Sequence, residues 1–210
     1  MIRNTGRSPE IDLLLSEDSP VRSYYEELAI NLTSLEGVKT IVVTSPEKGD
    51  GCTSVCLGLA GAFVGLERRA AIVDCNLREP SLHTMFGEPN FVGLTSGLSG
   101  NKPLADYGHE VMPGLLVVPT GPVSPGSVAV ARRRAFVEAI RGLEEGRDIV
   151  ILDAPVVEEM VNTPGFARGF DGVLLVVHAS RTSKQAARDA TDELHEARAE
   201  VLGVVLNGCP

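Results

Sequence analysis

The chain has 210 residues, 43% of them hydrophobic, with a formal net charge of −9 and a pI near 5.0. This length supports one well-buried core and is short for two substantial domains. The acidic balance argues against a nucleic-acid backbone or an anionic membrane surface as the main partner, because either would favour a clustered excess of Lys and Arg.

In chain order, residues 1–18 carry few apolar anchors among Ser, Pro, Glu and Asp. They are expected to form a mobile or loosely packed N-terminal segment ahead of a single domain over 19–210. The opening MIRNTGRSPEIDLLL is too polar for a signal peptide, and no later apolar run reaches the length of a bilayer span, so no direct membrane insertion is expected. A helical candidate over about 20–33 leads to an apolar strand, 39–44. A second helix is predicted over 53–66 and a second strand over 70–74. The stretch 87–127 is rich in Gly, Pro and Ser, with one short strand at 115–119, and is expected to be a long surface loop. Further strands are predicted at 148–152, 172–177 and 201–206, between helices at 127–142, 158–167 and 183–199. The run Arg132-Arg133-Arg134 lies on the first of these helices and is expected to be a solvated face.

Most of these strands are continuously apolar, as strands covered on both faces are, and they alternate with helices. The pattern predicts an α/β fold, a doubly wound, mostly parallel sheet in a three-layer sandwich, with its ligand site at the carboxyl ends of the strands. The cysteines, 52, 56, 75 and 209, show neither a CxxC pair nor a zinc-type spacing, and are expected to be reduced cytosolic thiols.

The first strand runs into SPEKGDGCTSVCLGLAGAF, a glycine loop followed by an apolar helix. Gly49 and Gly51 let the backbone turn with its N–H groups inward, the helix N-terminus favours an anion, and Thr53 falls where a hydroxyl commonly holds Mg²⁺. Taken alone the loop is equally compatible with an ordinary tight turn, because its defining Gly-Lys-Ser/Thr reads Gly51-Cys52-Thr53. The other strand ends add to it. One finishes in IVDCNLREPSLHTMFG, with Asp74, Asn76 and Arg78 alternating past the sheet. Another finishes in DIVILDAP, with Asp153 where a Walker B aspartate orients the Mg²⁺ water shell.

In this order, SPVRSYYEELAINL, TSPEKGDGCTS, VDCNLREPSLHTMFG, GLTSGLSG, LLVVPTGPVSP, ILDAP, FDGVLLVVHASRTSKQAARDATDEL and VLGVVLN resemble the bacterial tyrosine kinases (BY-kinases) of capsule and exopolysaccharide systems. These are a P-loop branch related to septum-site and plasmid-partition ATPases, and the resemblance spans about residues 19–207. It implies a P-loop NTPase-like fold and a site for ATP or ADP with Mg²⁺, lined by Gly49, Asp50, Gly51, Cys52, Thr53 and Ser54. Thr53, Asp74 and Asp153 would organise the metal, the two aspartates would be the catalytic carboxylates, and Asn207 would contact the base. It further implies a cytoplasmic protein recruited to the inner membrane by a polysaccharide co-polymerase or another export-system protein.

The departures from the pattern gather where the chemistry belongs. The loop lysine, a point charge on the transferring phosphate, is replaced by Cys52. Lys48 lies four residues earlier, at neither the usual position nor the offset position of partition-type loops. The second motif has Asn76 where the family has another aspartate. Ser23, Glu26 and Ala29 stand where the family's leading helix carries ring-forming Glu, Arg and Arg, which makes an oligomeric ring doubtful. The chain ends VLNGCP without a tyrosine-rich tail, Tyr24, Tyr25 and Tyr107 being its only tyrosines. The expected function is therefore a pseudokinase-like regulatory subunit with impaired nucleotide binding. The alternatives are an active tyrosine kinase or ATPase that uses Lys48, and a partition-type ATP switch. Cys52 is read as an inert replacement, or alternatively as a thiol whose pKa is lowered at the helix N-terminus and which senses oxidants. His83 and His178 are read as packing or capping residues.

Overall fold

A computed structural model describes residues 8–124 and 134–209. Seven strands form one sheet: β1 (Thr40–Thr44), β2 (Ala70–Asp74), β3 (His109–Met112), β4 (Leu115–Val118), β5 (Ile149–Asp153), β6 (Gly172–His178) and β7 (Val201–Asn207). Their spatial order is β3-β4-β2-β5-β1-β6-β7, parallel throughout except for β3, which runs antiparallel to β4 at one edge. The continuous apolar strands β1, β2, β4, β5 and β6 are buried on both faces, as the sequence predicts, whereas the edge strand β7 exposes Val204 and Leu206.

The two-residue period divides the strand side chains between two cores. Ile41, Val43, Ile72, Ile151, Leu174 and Val176 face α1 (Pro9–Leu15), α2 (Arg22–Thr33) and α3 (Cys52–Gly65). Val42, Val73, Val150, Leu152, Val173 and Leu175 face α6 (Arg134–Arg141), α7 (Val157–Val161), α8 (Pro164–Gly169) and α9 (Lys184–Glu196). The short helices α4 (Leu82–Met85) and α5 (Leu94–Ser99) follow β2. The result is the doubly wound, three-layer α/β sandwich expected.

Three local differences have identifiable causes. Residues 9–15 are helical rather than loosely packed: Ile11 and Leu14, three apart, are buried against α3, and Gly61 of α3 lets the carbonyl of Leu14 approach. The stretch 87–127 holds α5, a 3₁₀ turn at Leu104–Tyr107 and the β3–β4 hairpin, whose Pro113-Gly114 corner has Gly114 at φ +88°. The helix expected at 158–167 is split into α7 and α8 at Thr163-Pro164, since a proline disfavours the helical conformation before it. Of the helix expected at 127–142, residues 127–133 lie outside the described residues, as do Arg132 and Arg133. Arg134 begins α6 in an exposed ion pair with Glu138, 2.8 Å.

The docking of α1 is directly testable. Ile11 has no solvent exposure, so Ile11→Ala should lower unfolding free energy by about 2–4 kcal/mol. A change within about 0.5 kcal/mol in denaturant titrations would mean that residues 9–15 are loosely attached.

Candidate functional site

The strand order places the ends of β1, β5 and β2 side by side, and the candidate site is built on these three ends. Asp74 and Asp153 are register partners on β2 and β5, strands that lie ~4.8 Å apart. Both carboxyls are buried, Asp74 completely and Asp153 at 2% exposure. The loop from β1 to α3 passes over them. Its Gly49 and Gly51 have φ of +80° and +100°, conformations that favour glycine. Gly51 is the N-cap of α3 and offers no side chain, so the first-turn N–H groups of this 14-residue helix have no side-chain cap.

Thr53 joins the loop to both strand ends. Its Oγ1 donates to Asp153 Oδ2 at 2.7 Å and lies 2.9 Å from Ser81 Oγ. Asp74 accepts from its own loop: the Asn76 N–H at 3.1 Å, Ser81 N–H at 3.0 Å and Leu82 N–H at 3.1 Å. Asn76 Oδ1 in turn accepts from the Glu79 N–H at 3.1 Å. Asp74 thus organises the second loop, while Asp153 keeps the larger unused acceptor capacity.

Burial pushes both carboxyls above the usual carboxylate range. The three N–H donors partly offset this for Asp74, and the Asp74 charge drives Asp153 further up. Two such groups side by side are better suited to share a cation than to face each other bare. Among the described residues no three His, Cys, Asp or Glu side chains converge as metal ligands. An ion here would be held by the carboxylates, Thr53 and oxygens from outside the protein, the mode Mg²⁺ adopts with phosphates. On these grounds the residues fit Mg²⁺ with a phosphorylated ligand.

A cavity of about 460 Å³ opens over this floor. Gly49, Asp50, Gly51, Cys52, Thr53, Ser54 and Asp153 line it, joined by Lys48, Asn76, Arg78, Glu79, Glu159 and, from the N-terminal helix, Ser8 and Glu10. Ser54 Oγ donates to the Glu10 carboxylate. Lys48 pairs with Glu79 at 2.5 Å and Arg78 with Glu159 at 3.2 Å. Asp74 supports this floor from beneath, and Asn207 sits behind the loop, where its Nδ2 donates to the Asp50 carbonyl at 2.9 Å. A Cβ at Gly51 would collide with that amide.

Cys52 behaves differently from the redox-sensing alternative. Burial, with the charges of Asp153 and Asp50, pushes its thiol up to about 12, so the helix N-terminus does not produce a reactive thiolate. His83 and His178 both make local contacts, His83 near Thr84 and His178 near Ser180.

Sequence reasoning missed a second support for the loop. Asp50 is 1% exposed. It accepts from Thr182 Oγ1 at 2.8 Å and the Glu47 N–H at 3.3 Å, while Arg181 donates to the Gly49 carbonyl. Arg181 and Thr182 follow β6, and the only available signal was their place just past a strand end.

No family model matches the chain. It is 26% identical over 200 residues to the tyrosine-protein kinase CpsD of Streptococcus agalactiae serotype III, covering 94% of this chain and 86% of that one. It is 31% identical over 210 residues to the putative tyrosine-protein kinase EpsB of Ralstonia nicotianae, covering 99% of this chain but 27% of that longer protein. The crystal structure of the chimerical protein CapA2B2 matches with a TM-score of 0.87 at 26% identity, over 97% of this chain and 92% of that one. The chain belongs to the bacterial tyrosine kinase family. This BY-kinase domain also shares its fold with the septum site-determining protein MinD of Pyrococcus horikoshii, solved with Mg-ADP, at a TM-score of 0.66 and 22% identity over 80% of this chain and 70% of that one.

The raised carboxyls give a pH dependence whose sign follows from linkage. Above the ordinary carboxylate range, the folded BY-kinase domain keeps a proton on the coupled Asp74–Asp153 pair that the unfolded chain has released. Stability without metal therefore falls as pH rises through that window. Asp153→Asn keeps an acceptor for Thr53 and removes one member of the pair with its repulsion, so its melting temperature should fall less over the same range. Parallel slopes for the two proteins in thermal melts would contradict the assignment.

Proposed function

We propose that this BY-kinase domain is a regulatory, catalytically impaired subunit of a bacterial capsule or exopolysaccharide export system that binds Mg·ADP or Mg·ATP weakly. The observation that carries this reading is the combination at one loop: an uncapped α3 N-terminus and a Thr53–Asp153 pair, with Cys52 where the cation belongs.

The binding half follows from what is retained. Backbone N–H groups at Gly51 to Thr53 would face an anion, Thr53 and Asp153 would hold an oxygen-liganded cation, and Asp74 keeps the neighbouring loop in register. Mg²⁺, when bound, would neutralise phosphate charge at this point. The impairment follows from what is missing. Charge developing on a transferring phosphoryl group must be met by a preorganised cation, and the loss of a single electrostatic donor of this kind costs about 10²–10³ in rate. The Asn76 amide keeps the turn at Glu79 but brings no charge.

The association with polysaccharide export rests on the ordered family motifs, and with it the partner, a membrane polysaccharide co-polymerase or another export-system protein that recruits a cytoplasmic chain. No helix among the described residues is long and apolar enough to cross a membrane. The doubt about an oligomeric ring is supported by α2, where Ala29 is fully buried and Glu26 is paired with Arg22 at 2.6 Å.

Calorimetric titration with Mg·ADP, paired with a phosphotyrosine assay under Mg·ATP, tests this reading. Binding that weakens in Asp153→Ala, with no tyrosine phosphorylation above background, is expected. Phosphate incorporation into tyrosine that Asp153→Ala abolishes would overturn the impairment.

A further inference from the structure

We propose that Lys48, poised at the cavity mouth by Glu79, supplies the phosphate-gripping cation that the loop has lost at position 52. This inference rests on the nucleotide-site reading and deepens it.

The geometry begins with two ion pairs that lace three strand ends together. Lys48, on the loop after β1, reaches Glu79 after β2 at 2.5 Å, and Arg78 reaches Glu159 of α7 at 3.2 Å. All four side chains line the cavity that Thr53 and Asp153 floor. Two basic and two acidic side chains thus stand together on the cavity wall as two ion pairs. Against these pairs stand the acidic side chains of Glu10 and Asp153, with Asp74 beneath them. A polyphosphate entering this setting needs a cation, and among the described residues the lining offers Lys48 and Arg78.

Lys48 is the better placed of the two, because it sits on the phosphate loop itself, one residue before Gly49. Arg181, the other nearby cation, donates to the Gly49 carbonyl, is 3.9 Å from Asp50, and is not part of the cavity lining. Exchange is inexpensive: the Lys48 and Glu79 side chains are 57% and 58% exposed, and an exposed pair of this kind contributes little to stability. A phosphate oxygen can therefore replace the Glu79 carboxylate without loss of a buried contact. The same exposure explains why such a cation would serve binding better than transfer, since it is neither desolvated nor fixed in place.

The test is a mutant cycle on the 210-residue chain, titrated calorimetrically with Mg·ADP: the parent, Lys48→Ala, Cys52→Lys, the double variant, and Glu79→Gln. Lys48→Ala should weaken binding about tenfold, and Glu79→Gln, which releases Lys48, should tighten it. In the Cys52→Lys background the loss from Lys48→Ala should shrink below about threefold, because one cation then substitutes for the other. Unchanged affinity in Lys48→Ala, or an equal loss in both backgrounds, would overturn the inference. Binding by Cys52→Lys but not by the parent would overturn it while leaving the nucleotide site standing. Failure of both to bind would remove the nucleotide-site reading and this inference together. Melting temperatures of the exposed-site variants should match the parent and exclude misfolding.

Discussion

Two carboxyl groups buried next to each other, at the level ends of neighbouring parallel strands, form the constraint around which the site is arranged. The β2–β5 register brings Asp74 beside Asp153, and each would be costly as a bare charge in that surrounding. The structure manages the cost unequally. Asp74 draws three backbone N–H groups onto itself and thereby fixes the chain from Asn76 to Leu82. Asp153 receives the Thr53 hydroxyl and remains open toward the cavity. The β1–α3 loop completes the arrangement from above, with Asp50 anchored by Thr182 and Glu47. A cation between floor and loop would relieve the repulsion, which is the physical reason this pair suggests metal and phosphate rather than proton chemistry.

Within that arrangement Cys52 is a half-buried neutral group. Its thiol is pushed up to about 12, so it contributes neither the positive charge of a lysine nor the nucleophilicity of a thiolate. The charge balance of the cavity instead rests on exposed side chains at its rim, Lys48 and Arg78, each held by a glutamate. A loop that keeps its backbone geometry while its fixed cation moves to a flexible rim position is consistent with a domain that holds a nucleotide more readily than it transfers phosphate.

Much of this was legible in the sequence, because the informative features are local. Continuous apolar runs ending in Asp74 and Asp153, and a glycine loop ending in Thr53, declare the fold and the floor of the site. What was not legible depends on orientation or on contacts distant in sequence. Spacing alone placed Lys48 outside the known lysine positions, but its partnership with Glu79 spans 31 residues. The Thr182–Asp50 bond spans 132. The N-terminal helix was missed because few apolar side chains, the buried Ile11 and Leu14 and the half-buried Leu15, commit it to the core. The β3–β4 hairpin was missed although Pro113-Gly114 carries a turn signal, since β3 is only four residues long and half-buried at the sheet edge. The suppressed reactivity of Cys52 follows from burial, which a sequence position at a helix start does not reveal.

The domain is proposed to keep the phosphate site and to lack the charges that make it a catalyst. Steady-state turnover of Mg·ATP by the parent chain, set against a Cys52→Lys/Asn76→Asp variant that restores the loop cation and the second aspartate, tests it most directly. The account predicts negligible turnover in the parent and a gain of at least about a hundredfold in the variant. Parent turnover equal to that of the restored variant would contradict it.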